Sequence, residues 1–107
     1  MEYIKLNGKD QPFRFGLKAL KELESAVTTE KFNNVINGVV VSFADNIVIA
    51  ENILRIGLNH GAKMAGNNYI VSPQKAEDLI DEGGMELLEE VLALFEKCVS
   101  SPKASTK

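Results

Sequence analysis

His60 and Cys98 are the sole histidine and the sole cysteine of this chain. Nucleophilic catalysis of the Ser–His or Cys–His kind needs a base beside the nucleophile and a third group to orient it. His60 falls near the predicted end of a helix, where a partly protonated imidazole suits the helix dipole, and this is its plainer use. One histidine and one cysteine so far apart make no metal-ligand spacing. Cys98 is in phase with Leu88, Val91 and Phe95, so a buried, inert thiol is expected. Gly61 and Gly66 have the spacing that opens a phosphate loop, but Asn67 and Asn68 stand where Lys and Ser or Thr are required. Without that lysine the motif fails. Seven carboxylates lie between Glu77 and Glu90, around Gly83-Gly84. Such runs are mostly solvated helix faces, and the spacing is not that of a calcium loop. The residues therefore predict no catalytic group, no metal and no cofactor.

The elements that would hold any site come next. Tyr3, Ile4 and Leu6 precede Asn7-Gly8-Lys9-Asp10, which is turn chemistry, and Phe13 and Phe15 then alternate with Arg14. This reads as a β-hairpin with strands near 2–6 and 11–15. From Leu17 the period becomes helical, with Leu20, Leu23 and Val27 on one face. Thr28 and Thr29 can cap a second helix whose apolar positions run Phe32, Val35, Ile36, Val39, Val40 and Phe43. Gly38 interrupts that stripe, and the β-branched run Val39-Val40-Val41 leaves strand open as an alternative there. Asp45 can cap a third, very apolar and therefore central helix that ends at Gly61. Ser72-Pro73 announces a fourth, closed by Gly83-Gly84. A last helix carries Leu88, Val91, Leu92, Phe95 and Val99, and Pro102 should stop it. The fold class expected is α+β, mostly α: an N-terminal β-hairpin packed on a bundle of four to five helices. Residues 1–99 read as one domain. Residues 100–107, SSPKASTK, lack large apolar side chains and read as a flexible C-terminal tail.

The chain has 107 residues, enough for one modest core without disulfide staples. Hydrophobic residues make up 45% and charged residues 25%, which is ordinary for a globular domain. The net charge of −3 gives no bulk attraction for phosphate backbones. The nearest thing to a basic cluster, Lys9, Arg14, Lys18 and Lys21, is broken by Asp10 and followed by Glu22 and Glu24. No nucleic-acid partner is expected. The opening residues lack the layout of a signal peptide. Polar residues such as Asn37, Asp45 and Glu51 break the apolar stretch from Val35 to Leu58, so no membrane span is expected. A lone cysteine fits a reducing cytosol.

One resemblance covers residues 1–99. The opening YIKLNGKDQPFRFGLKALKELE, the helix end ILRIGLNHG and the segment SPQKAEDLIDEGGMELLEEVLALF resemble, in that order, the small tail assembly chaperones of long-tailed (siphovirus-like) bacteriophages and prophages. The resemblance implies a non-enzymatic protein. It would bind the tape measure protein, keep it soluble and help recruit tail tube protein subunits. It would work in the host bacterial cytoplasm and leave before the virion matures. A frameshifted longer product and a homo-oligomer are compatible with it.

A chaperone of this kind needs apolar surface that a partner covers. The apolar residues outside the main stripes are Val41, Ile49, Met64, Tyr69 and Leu87, and these are the candidate partner-binding residues. An exposed hairpin edge at 2–6 or 11–15 is a second candidate. The competing readings are a virion structural protein (a tail connector or tube subunit), a small nucleic-acid-binding regulator and an unrecognised enzyme built around His60.

Overall fold

The computed structural model describes the backbone of residues 2–105 and the side chains of residues 2–99. It is an α+β structure, mostly helical, with an N-terminal antiparallel hairpin and four helices. Strands β1 (Glu2–Leu6) and β2 (Lys9–Phe13) are joined by Asn7-Gly8. Both turn residues have positive φ, 53° and 78°, as the two-residue type I′ turn requires. The turn is thus two residues shorter than the Asn7–Asp10 cluster implied, and β2 begins at Lys9, paired with Leu6. Counted from that closing pair, Tyr3 and Pro12 face each other at a non-hydrogen-bonded position, where the missing proline N–H is not needed. Ile4, Leu6 and Phe13 point into the core, while Tyr3 and Lys5 stay outside.

Helix α1 (Leu17–Ala26) follows, then α2 (Thr29–Ile36), with the Thr28 hydroxyl accepting from the Lys31 N–H at 3.2 Å. The helix expected to run from Phe32 to Phe43 ends early. Asn37 closes it and Gly38 takes a φ of 71°. Residues 39–42 are neither helix nor strand. Helical phase holds as far as Ile36, but Gly38 leaves helical space, and Val39 and Val40 after it stay exposed.

Helix α3 (Phe43–Ala65) is the centre of the molecule. Ser42, three residues before Asp45, is its cap, and its hydroxyl accepts from the Asp45 N–H at 3.1 Å. Asp45 sits instead in the first turn, where its charge suits the helix dipole. The helix also runs past Gly61 and stops at Gly66, which takes the left-handed conformation. Gly61 has another task. It and Gly57 lie against β2, where any Cβ would overlap the Pro12 backbone or the Phe13 ring. Through this contact the Arg14 N–H reaches the Gly57 carbonyl at 3.0 Å, so α3 covers the outer side of the hairpin's second strand.

Helix α4 (Pro73–Ser105) opens with the predicted Ser72 cap and Pro73 in its first turn. Gly84, with φ 68° and ψ −158°, kinks it where two helices were expected. Helical backbone continues through Pro102 to Ser105, beyond the stop expected there. The side chains of the expected tail, and the backbone of 106–107, lie outside the described residues. The core joins the hairpin, α1, α3 and α4. Phe13, Phe15 and Phe95 form an aromatic chain through it, with the last two rings edge to face at 5.2 Å.

Candidate partner-binding surface

The segment from Ile36 to Phe43 carries the most conspicuous apolar exposure in the molecule. Val40 is 93% exposed, and Ile36, Val39 and Phe43 are each about half exposed. The cause is local. Helix α2 has no fully buried residue; Phe32 and Val35 only lean on the core. The extended stretch after Gly38 then carries its valines across the surface.

Two depressions flank this segment. The larger is a groove of about 610 Å³ between α1, the α2 end and the Leu92–Val99 stretch of α4, with Leu20, Val35, Val39, Val41, Leu92 and Phe95 among its walls. The smaller is a cleft of about 260 Å³ between the start of α3 and the α4 kink. Phe43, Ile47, Ile80, Met85 and Leu88 supply its apolar surface, and Glu51, Glu77 and Asp81 stand on its walls. Burial, helped by the charge of Glu77, pushes the Glu51 carboxyl above its ordinary value.

The five candidate residues separate. Val41 lines the groove, and Met64 is exposed at the far end of α3. Tyr69 is half-buried against the core. Ile49 and Leu87 are core residues, 0% and 7% exposed, and so cannot present free surface. Helix α3 is buried on most of its circumference, so falling off the main stripe does not place Ile49 outside. Leu87 is turned inward beside Gly83 at the kink. Ile36, Val39, Val40 and Phe43, which helical phase predicts on a buried stripe, are exposed instead. Gly38 was the signal that the stripe breaks.

The remaining chemistry-bearing residues serve the scaffold. His60 Nε2 lies 2.8 Å from Glu22 Oε1, tying α3 to α1, and Arg55 approaches the same carboxylate at 3.9 Å. Asn59 uses its side-chain amide like a strand backbone. It donates to the Val71 carbonyl at 3.0 Å and accepts from the Val71 N–H at 2.7 Å. Cys98 is half-buried, and burial together with the Glu2 charge raises its pKa, against a hydrogen bond to the Phe15 backbone. Among the described residues no group of three or more His, Cys, Asp or Glu is placed to hold a metal ion. No helix among them is long and apolar enough to cross a membrane.

Comparison with family models, with curated proteins and with solved structures finds no match to this chain. The functional reading therefore rests on the surface itself and on the sequence resemblance.

Proposed function

We propose that this protein is a non-enzymatic chaperone of phage tail assembly, which binds the tape measure protein, keeps it soluble and helps recruit tail tube subunits. One observation carries the reading. An apolar groove lies open beside a segment whose Val39, Val40 and Phe43 stand in water. Exposed apolar surface of this kind is what a partner-binding protein presents, and an amphipathic helix laid in the groove would remove both surfaces from water. The resemblance in the order of sequence motifs supports the tape measure protein as the partner. On this reading the protein acts in the host bacterial cytoplasm and is absent from the finished virion, which separates it from a connector or tube subunit.

The test is co-expression with the tape measure protein of the same phage or prophage. The tape measure protein should move from the pellet to the soluble fraction and co-purify with this chain. Equal solubility with and without it would overturn the proposal. Mass spectrometry of purified particles should not find this chain.

A further inference from the structure

We propose that the cleft at the α4 kink is a second docking site, distinct from the groove, and that it takes an amphipathic helix with a lysine or arginine beside its apolar face. The inference rests on the reading of the protein as a polypeptide-binding module and names the chemistry of what it binds.

The size of the cleft is the first argument. At about 260 Å³ it lies below the ~300–1,000 Å³ typical of small-molecule and cofactor sites. It fits one or two side chains of another polypeptide. Its surface is the second. Phe43 and Met85 are both more than half exposed at its mouth, and Ile80 and Leu88 lie behind them. The methionine is flexible and polarizable, suited to moulding around an inserted side chain. Gly84 keeps the kink open, since its φ of 68° belongs to glycine and nothing lies within 4 Å of where a Cβ would stand.

Charge decides the occupant. Glu51, Glu77 and Asp81 line the cleft, and none of them is in an ion pair among the described residues. The carboxylates of Glu51 and Glu77 feel each other's charge. An ordinary apolar helix would leave that repulsion in place and bury it further. A helix with a cation one turn from its apolar side chain relieves it, and the pairing also speeds encounter and excludes acidic partners.

Two labelled synthetic helical peptides, each about five turns long, test this with the full chain. Both carry leucines at i, i+3, i+4 and i+7. One has lysines beside the leucine stripe and the other has glutamates. The lysine peptide should bind at least about tenfold more tightly, and added salt should weaken it. Glu77→Lys and Asp81→Lys, both at exposed positions, should each weaken the lysine peptide about tenfold and strengthen the glutamate peptide. Glu77→Gln, which keeps shape, should give a smaller loss. Leu17→Asp, at an exposed position that lines neither the cleft nor the groove, should leave lysine-peptide binding unchanged. Equal binding of the two peptides, or indifference to Glu77→Lys, overturns the cleft proposal. Lysine-peptide binding that is lost in Val39→Asp but kept in Glu77→Lys overturns it in favour of the groove. Failure of the tape measure co-expression with cleft-dependent peptide binding intact overturns only the phage assignment.

Discussion

Gly61, near the C-terminal end of the longest uninterrupted helix, lies directly against the backbone carbonyl of Pro12 in the hairpin, with no room between them for a methyl group. One turn earlier, Gly57 does the same for the Phe13 ring and accepts the Arg14 N–H on its carbonyl. Glycine inside a helix normally costs about 1 kcal/mol relative to alanine. Here it permits the close seating of β2 on α3, and a two-stranded hairpin has little stability without such support.

Gly61→Ala should therefore destabilise the fold despite its better helix propensity. Backbone, unlike a flexible side chain, cannot swing aside, and overpacking typically costs about 1–3 kcal/mol. Urea unfolding should show a lower midpoint with an unchanged slope. Gly66→Ala meets no neighbour and should suffer only the strain of its φ of 74°. If Gly61→Ala were as stable as the native chain, the seating of the hairpin described above would be wrong.

Asn59 gives a second prediction. Its amide pairs both ways with the backbone of Val71, a residue only 2% exposed. Asn59→Ala leaves a buried donor and acceptor without partners, at about 1–3 kcal/mol for each group so exposed to loss. Amide hydrogen exchange is the direct readout. The Val71 N–H should lose most of its protection in Asn59→Ala, while amides in the middle of α3 change only in step with global stability.

These contacts mark what the sequence could reveal and what it could not. The hairpin, the helical content and the Thr28 and Ser72 caps were legible because each depends on neighbours a few residues apart. The roles of Gly57, Gly61 and Asn59 were not, because their partners at Pro12, Phe13 and Val71 come together only in three dimensions. Gly61 reads in sequence as a helix terminator because glycine signals equally an end or a close approach. The exposed apolar segment was hidden for a different reason. Val39, Val40 and Phe43 keep helical phase with Phe32 and Val35, and phase alone predicts burial. The positive φ of Gly38 turns that phased stripe outward, while Ile49 and Leu87, which lie outside the main stripes, turn inward.

Exposed apolar residues allow a clean separation of binding from folding. Val39→Asp and Val40→Asp lie on the surface, where substitutions usually change stability by no more than about 0.5 kcal/mol. Both variants should melt with the native protein yet fail to keep the tape measure protein in the soluble fraction. Ile49→Asp is the contrast. It buries a charge in the core and should lower the yield of folded protein itself. Normal solubilisation by the Val39→Asp/Val40→Asp double variant would show that the groove segment is not the contact.

Cys98 should be a poor nucleophile. Its thiol is held above the ordinary range by burial first and by the Glu2 carboxylate second, so less thiolate is present at mildly alkaline pH. Alkylation by iodoacetamide should be slower than for a free cysteine under native conditions and should reach the free rate in denaturant. Rapid native-state labelling would contradict the packing of α4 on the hairpin.

Glu51 makes stability depend on pH in a direction opposite to that of most carboxylates. Burial and the neighbouring charge of Glu77 raise its pKa above the ordinary 4.5, so the folded chain holds this proton more tightly than the unfolded chain does. Its contribution then turns unfavourable as pH rises from the ordinary value through the raised one, and stability from this group falls across that window. Glu51→Gln keeps the shape and removes the titration. Below the ordinary value the native chain and the variant should unfold at similar denaturant concentrations. Toward neutral pH the variant should become the more stable of the two, and Glu77→Gln should recover part of the same gain by removing the opposing charge. A gap between native chain and Glu51→Gln that stayed constant across this range would mean that the Glu51 proton is held no more tightly in the folded chain than in the unfolded one.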